Sequence, residues 1–214
     1  WWCYNLFMRT KKEIPARDHG NHRHSLKYKL CVSGAAETGH CPPDTLERAE
    51  QLGKAIAEHG CVLMTGATTG IPYWSAKGAK SAGGTVIGLS PASSKVAHVI
   101  TYHLPLDYHD VIVYTGFEYS GRNLLLTRSS DAVIIVCGRV GTMNEFTVAF
   151  EDQKPIGVLE GSGGTAEFIR EFLMKSHRGM GKVIFAKDPE TLITRLLDLI
   201  ESEEEKYGIK GRVF

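Results

Sequence analysis

The chain has 214 residues, a length at which one domain with a single sizeable core is the usual outcome. Its composition, 43% hydrophobic and 23% charged, is that of a globular protein and excludes a disordered, collagen-like or coiled-coil chain. The 25 basic and 24 acidic side chains leave a net charge of +1, so no overall field draws the molecule to nucleic acid or to an anionic membrane. No apolar run approaches the roughly 20 residues that a membrane span needs. We therefore expect no membrane segment. Any anionic ligand must be held by groups at its own binding site, and not by the charge of the molecule as a whole.

The cysteines are odd in number and scattered, and no two of them form a C-x-x-C pair. This usage is typical of reduced thiols in the cytoplasm rather than of a disulfide framework or a zinc site, so we predict a cytoplasmic protein with free thiols and no metal. The residue at the end of the fifth predicted strand is expected to be a buried, inert thiol, because no base is placed beside it by the sequence. The five cysteines are Cys3, Cys31, Cys41, Cys61 and Cys137.

Residues 1–26 are rich in basic side chains and lack an apolar period, and we interpret them as an N-terminal arm or extension before a single domain over residues 27–214. Three histidines in the arm, His19, His22 and His24, could ligate a transition metal, but no cysteine or carboxylate completes a metal-site spacing. The basic residues between positions 9 and 29 would support DNA binding through charge alone. We therefore predict a polar extension, with nucleic acid an unlikely partner.

From residue 27 onward, short β-branched runs alternate with longer amphipathic segments, the pattern of βα units around a mostly parallel sheet. The predicted strands lie at 28–33, 61–65, 85–89, 111–114, 131–137, 156–159 and 183–185. The predicted helices lie at 44–59, from 71 to about 82, and at 120–128, 142–150, 165–175 and 189–205. Because ligands of parallel α/β sheets bind beyond the carboxyl ends of the strands, the loops at those ends are the candidate site.

Three of these loops are rich in glycine, which lets backbone N–H groups approach an anion at a helix start. They follow the first, second and fifth strands, and together they predict a phosphate or nucleotide pocket. None has the spacing of a Walker loop or of G-x-G-x-x-G, so neither an ATPase nor an ordinary dinucleotide enzyme is indicated. The candidate ligand-binding residues in them are Ser33, Gly34, Gly66, Thr68, Thr69, Gly70, Gly138, Arg139, Gly141 and Thr142.

Three charged side chains could complete this pocket. Glu145 follows the Gly141 loop by about one helical turn, where it could act on a ligand or only stabilise the helix start. Arg122 is a bidentate donor suited to phosphate or carboxylate, and its alternative is a surface salt bridge. Arg128 lies six residues further on, and the sequence leaves open whether it binds the ligand or forms a structural pair.

These segments resemble the signature of the LONELY GUY or "lysine decarboxylase-like" (SLOG) superfamily. Arg122, Arg128 and the run Asp131-Ala132-Val133-Ile134, followed by Gly138-x2-Gly141-Thr142-x2-Glu145, match its R…R..DA…PGGxGTxxE pattern. Residues 65–71, 76–79 and 83–88 are similar to its upstream glycine block. The resemblance covers residues 27–159 and implies an α/β, Rossmann-like, doubly wound sheet with helices on both faces, usually in a homodimer or higher homo-oligomer.

The resemblance also implies a function. Characterised members are phosphoribohydrolases, which cleave a nucleoside 5′-monophosphate to the free base and ribose 5-phosphate without a cofactor. Carried over, Gly141 and Thr142 would hold the 5′-phosphate, and Glu145 and Arg122 would be the catalytic residues. A carboxylate suits this chemistry because positive charge develops on the sugar as the bond breaks.

The chain departs from the hydrolase pattern at three places. The PGG loop reads Cys137-Gly138-Arg139, the GGG after the second strand reads Gly66-Ala67-Thr68, and Gly121-Arg122-Asn123 stands where the hydrolases have Glu-Arg-Lys. Together with Gly-Ile-Pro at 70–72, this form is similar to a sister branch of nucleotide-binding proteins and molybdenum-cofactor carriers. The alternative function is therefore a non-catalytic carrier or sensor of a nucleotide or a phosphorylated pterin.

Overall fold

A computed structural model describes residues 27–208 as a seven-stranded sheet with helices on both faces. The predicted arm, with its three histidines and most of its basic residues, lies outside the described residues. No helix within residues 27–208 is both long enough and apolar enough to cross a membrane.

All seven strands run parallel, in the order β4-β3-β2-β1-β5-β6-β7. The chain adds strands in one direction from β1 to β4, and β5 then begins the other half on the opposite side of β1. The predicted doubly wound, Rossmann-like α/β fold is therefore confirmed. The strands are β1 Lys29–Gly34, β2 Val62–Thr65, β3 Thr85–Ser90, β4 Val111–Tyr114, β5 Ala132–Val136, β6 Ile156–Leu159 and β7 Val183–Ala186.

Six α-helices cover the sheet. Helices α1, α2 and α6 bury one face, and α3, α4 and α5 bury the other, so that each face has its own hydrophobic cluster. β5 is buried along its whole length between the two layers, as its run of five apolar residues predicts. The helices are α1 Thr45–Glu58, α2 Ile71–Ser81, α3 Glu118–Ser129, α4 Val140–Glu151, α5 Thr165–Lys175 and α6 Pro189–Glu205.

The predicted strands and helices all occur, with ends that differ by one or two residues. A short π-helical turn at Ala97–Thr101, between β3 and β4, is the element that the sequence did not predict. It is anchored by buried His98, whose ring bonds to the Ser90 hydroxyl and to the Pro105 carbonyl. A single turn of five residues has no apolar period long enough to be recognised in a sequence.

The prediction that all five cysteines are free thiols is wrong for two of them, because Cys41 and Cys137 form a disulfide. These residues are 96 positions apart in the chain, but β1 and β5 pair side by side, with Gly34 opposite Val136, so the loops after the two strands meet. Cys137 is buried as predicted, but it is not a thiol in this structure. The argument for the cytoplasm rested on cysteine usage, and that localisation now stays a prediction without this support.

Helices α1 and α2 pack closely against each other through glycines. A Cβ placed on Gly53 would lie 1.9 Å from the Ser75 carbonyl oxygen, and one on Gly78 would lie 1.9 Å from the Glu50 carbonyl oxygen. Both obstacles are backbone atoms, so the helices would have to move apart to admit a methyl group.

We predict that Gly53→Ala destabilises the protein by roughly 1–3 kcal/mol, because overpacking at this crossing exceeds the gain in helix propensity. Urea denaturation of the variant and the parent protein measures the difference. Gly39→Ala is the matched control, since a Cβ there meets no atom within 4 Å and the expected change is within about 0.5 kcal/mol. Equal stability of the two variants would contradict the close helix crossing.

Candidate functional site

A cavity of about 220 Å³ opens at the carboxyl edge of the sheet, where β1 and β5 lie side by side. This is the point at which the order of strands reverses, the usual ligand site of open α/β sheets. Its walls come from the loops after β1, β2 and β5 and from the first turns of α3 and α4. The lining residues are Gly34, Ala36, Thr68, Tyr119, Arg122, Asn123, Arg139, Gly141, Thr142 and Glu145.

Glu145 lies in α4, one and a half turns from its start, and its side chain is turned into the cavity floor with only 6% of the residue exposed. The Ser33 hydroxyl, at the end of β1, donates a hydrogen bond to Oε2. Burial raises the pKa of this carboxyl above its ordinary value, although the charge of Arg122 and the Ser33 hydrogen bond oppose the rise. Ser33, predicted as a ligand residue, therefore holds the glutamate.

The second oxygen of the carboxylate is held by Asn123. In the amide orientation that satisfies its neighbours, the Asn123 nitrogen donates to Glu145 Oε1 over 3.0 Å and to the Tyr119 carbonyl over 2.9 Å. This orientation is favoured because both neighbours are acceptors. Asn123, Tyr119 and Ala36 were not among the predicted site residues, and the signal available in the sequence was the position of Asn123 beside Arg122.

Arg122 is buried, with 6% of the residue exposed. Its Nε has no hydrogen-bond partner within residues 27–208. The guanidinium lies against the loop after β2, where a Cβ on Gly66 would be 1.6 Å from its Nη1. The absence of a side chain at Gly66 therefore makes room for the arginine, and the predicted contact of Gly66 with phosphate stays a prediction.

The start of α4 forms another wall of the cavity. Gly141 and Thr142 lie in the first turn, where N–H groups have no partner within the helix and the positive end of the helix dipole favours an anion. Gly138 adopts a positive φ of +98°, and a Cβ there would be 2.5 Å from the Thr142 side chain. Arg139, at the mouth, pairs with Glu37 over 2.9 Å, so it links this loop to the loop after β1.

The loop after β2 meets the loop after β1. Thr68 lines the cavity, whereas Thr69 turns away and its hydroxyl donates to the Ala36 carbonyl over 3.1 Å. Gly70 has a φ of +68° and packs so closely that a Cβ would lie 2.2 Å from the Ala35 carbonyl oxygen. Thr69 and Gly70 thus fasten the two loops together.

Arg128 does not reach the cavity. It lies in the last turn of α3, is mostly exposed, and its Nε donates to Asp152 at the end of α4 over 2.9 Å. The sequence left open whether Arg128 binds the ligand or forms a structural pair, and the structure shows the pair with Asp152.

Comparison with known protein families identifies the family of this chain. The model of the SLOG cluster4 family matches residues 27–193, which include all seven strands and the whole cavity. The chain belongs to this family. The predicted resemblance to the SLOG superfamily is therefore confirmed.

Three relatives of this SLOG cluster4 protein are informative. The molybdenum cofactor binding protein of the phototrophic bacterium Rippkaea orientalis is 31% identical, with a TM-score of 0.67 over 82% of this chain and 98% of that chain. The Moco carrier protein of Chlamydomonas reinhardtii is 30% identical, with a TM-score of 0.68 over 83% and 99%. An uncharacterised protein of Archaeoglobus fulgidus is 34% identical over 132 residues, 62% of this chain and 82% of its own length.

We predict that Glu145→Gln is at least as stable as the parent protein at pH 7. Because the folded-state pKa of Glu145 is raised, its contribution to stability is present at low pH and is lost as the pH rises from the unfolded pKa through the folded one. The neutral amide avoids this loss, and its carbonyl can still accept from Ser33. Urea denaturation at pH 7 and near pH 4 measures the difference, which should shrink in acid. A variant clearly less stable at pH 7 would mean that the charged carboxylate stabilises the fold.

Proposed function

We propose that this SLOG protein binds a phosphorylated small molecule in the cavity and releases it intact, as a carrier or sensor of a nucleotide or of a molybdenum-cofactor-type pterin. The observation that carries the proposal is the buried guanidinium of Arg122, whose Nε has no partner within the described chain. A buried cationic donor with an unused N–H is costly unless a ligand satisfies it. An anionic ligand supplies both the charge and the acceptor.

Phosphate is the anionic group that suits this cavity best. Arg122 and the first-turn N–H groups at Gly141 and Thr142 lie on the lining of the same cavity, and together they offer a cation and a helix dipole. The volume of 220 Å³ is below the roughly 300–1,000 Å³ of pockets that enclose a drug-sized ligand. We infer that the phosphate end is enclosed and that the ring system extends to the mouth, where half-exposed Tyr119 offers an aromatic face for stacking.

The surroundings of Glu145 favour a carrier over a hydrolase. Ser33 and Asn123 each donate to one oxygen of the carboxylate, so both oxygens already have partners within the protein, and burial raises its pKa, which disfavours the negative charge. A hydrolase needs that charge to stabilise the developing cation of the sugar. The two similar proteins that bind or carry molybdenum cofactor, at 30–31% identity over nearly their whole length, support the same choice.

Phosphoribohydrolysis is the second candidate, because Glu145 and Arg122 still face one cavity beside the phosphate-binding helix start. In that reaction the carboxylate would lie against the ribose, and Arg122 would assist at the same centre. Neither candidate function requires a resident metal or organic cofactor.

We expect Arg122→Gln to weaken binding of the phosphorylated ligand by about tenfold to a hundredfold, the size expected when a charged hydrogen-bond partner is removed. Isothermal titration with nucleoside monophosphates, and with the compound released from the denatured native protein, measures the change. Arg128→Gln is the matched control on the same helix, because Arg128 pairs with Asp152 outside the cavity and its loss should leave affinity unchanged. Equal effects of the two substitutions would place the ligand elsewhere.

The carrier and hydrolase functions differ in what becomes of the ligand. We expect mass spectrometry of the denatured native protein to find an intact nucleotide or phosphorylated pterin. We also expect incubation with a panel of nucleoside monophosphates to yield no ribose 5-phosphate. Release of free base together with ribose 5-phosphate, abolished by Glu145→Gln, would instead establish the hydrolase.

The homodimer that the resemblance implies stays a prediction. Apolar side chains exposed near the cavity, on Leu124, Leu125 and Val140, offer a surface for it. Nucleic acid likewise stays an unlikely partner by prediction only, because most of the basic arm lies outside residues 27–208.

A further inference from the structure

Three metal-ligating side chains lie together at the carboxyl edge of the sheet, and none of them lines the cavity. The His40 imidazole, the Cys41 sulfur and the Cys137 sulfur each offer one donor atom, and these atoms all lie within 4.8 Å of one another. His40 and Cys41 come from the loop after β1, and Cys137 comes from the end of β5. No other group of three or more such side chains with this geometry occurs in residues 27–208.

We propose that the reduced protein binds a single Zn²⁺ ion through His40, Cys41 and Cys137, with a fourth position open to solvent. Two thiolates and one imidazole are a ligand set that zinc takes in tetrahedral sites with an open position. The three side chains range from exposed at His40 to buried at Cys137, so the open position would lie on the solvent side. A carboxylate ligand would favour harder cations, and the cluster contains none.

The distances suit this ion. The His40 Nε2 lies 3.5 Å from the Cys137 sulfur. A tetrahedral zinc ion with ordinary Zn–S and Zn–N bond lengths sets its sulfur and nitrogen ligands about 3.5 Å apart. Nε2 also lies 3.2 Å from the Gly138 carbonyl, to which it can donate a proton in the disulfide form. As a zinc ligand it would instead present its lone pair, with the ring proton on Nδ1.

One ligand is held rigidly and the others lie on a surface loop. The Cys137 N–H donates to the Ser162 hydroxyl over 2.8 Å, and the Cys137 carbonyl accepts from Ala166 over 3.0 Å. The loop from 36 to 42 carries His40 and Cys41 at the surface. Opening the sulfur pair to the spacing of a zinc site therefore requires a shift of the loop after β1 and leaves the end of β5 in place.

The site exists only after the disulfide is reduced. A dithiol supplies two electrons and two protons, which convert the Cys41–Cys137 bond into two thiols while the dithiol becomes a disulfide. Zn²⁺ then displaces the two thiol protons and bonds to both sulfurs. In either state the two sulfurs link the loop after β1 to the residue that precedes Gly138, directly or through the metal.

Cobalt(II) tests the proposal, because it adopts zinc geometry and reports thiolate ligation by its absorption. The full-length protein is reduced with a dithiol, desalted without oxygen and titrated with Co²⁺. We expect one equivalent to give visible bands of tetrahedral cobalt and a thiolate charge-transfer band, both lost on adding Zn²⁺. The same titration of the oxidised protein should give neither band.

Variants assign the ligands. Cys41→Ser should lower the charge-transfer absorbance by half or more and weaken binding, because one of the two thiolates is lost, and His40→Ala should shift the visible bands and weaken binding. Cys61→Ala is the matched control, a buried cysteine outside the cluster, and should leave the titration unchanged. A reduced protein without thiolate–cobalt bands, or bands that keep their full intensity in Cys41→Ser or are unchanged in His40→Ala, would overturn the proposal. Circular dichroism of each variant distinguishes loss of the site from loss of the fold.

Discussion

The burial of two opposite charges at one edge of the sheet is the constraint on which the rest of the site depends. Arg122 and Glu145 are each 6% exposed, and removing either group from water carries a cost of several kcal/mol unless hydrogen bonds and charge compensate it. The compensation is unequal. Glu145 has Ser33 on one oxygen and Asn123 on the other, whereas the Nε of Arg122 is without a partner in the described chain. The positive partner of the pair is therefore the one left for a ligand.

The backbone is arranged around these two side chains. The guanidinium can lie where it does because Gly66 has no Cβ, and the carboxylate can face the cavity because α4 starts beyond the end of β5. The loops after β1, β2 and β5, which line the cavity beside them, are fastened to one another by the hydrogen bond from Thr69 to Ala36 and by the Cys41–Cys137 disulfide. Such fastening reduces the rearrangement that binding would otherwise require, which is the usual basis of a pre-organised site.

Most of the fold and the general position of the site could be predicted from the sequence. The alternation of β-branched runs and amphipathic segments gives the βα units, and glycine-rich loops at strand ends place a ligand at the carboxyl edge. Contacts between distant residues could not be predicted in this way. The Cys41–Cys137 pair depends on β1 lying next to β5, and a count of cysteines contains no information on which strands are neighbours.

The motif also does not determine which contacts each of its residues makes. Gly66 and Ser33 stand in glycine-rich loops and are predicted to bind the ligand; in the structure Gly66 also makes room for Arg122 and Ser33 also holds Glu145, and the predicted ligand contacts stay predictions. Arg128 matches the family pattern and yet pairs with Asp152, more than a helical turn from Arg122. A motif records which residues occur together, whereas the direction of each side chain follows from packing that is set by the whole sheet.

The groups packed around Glu145 also suggest how the proposed carrier could keep a glutamate in its binding site. A protein that holds a phosphorylated ligand without reacting needs to bind the phosphate tightly and to keep its carboxylate from acting on the rest of the molecule. In the proposed carrier, the hydrogen bonds from Ser33 and Asn123 would do this by occupying both carboxylate oxygens, and burial would do it by raising the pKa of Glu145. At the position of Asn123 the hydrolases of the superfamily have a lysine, whose charge would favour the ionised carboxylate. A neutral amide donor favours the ionised form less than a lysine would, so under the proposed function the residue after Arg122 is one position that would separate a carrier from a hydrolase.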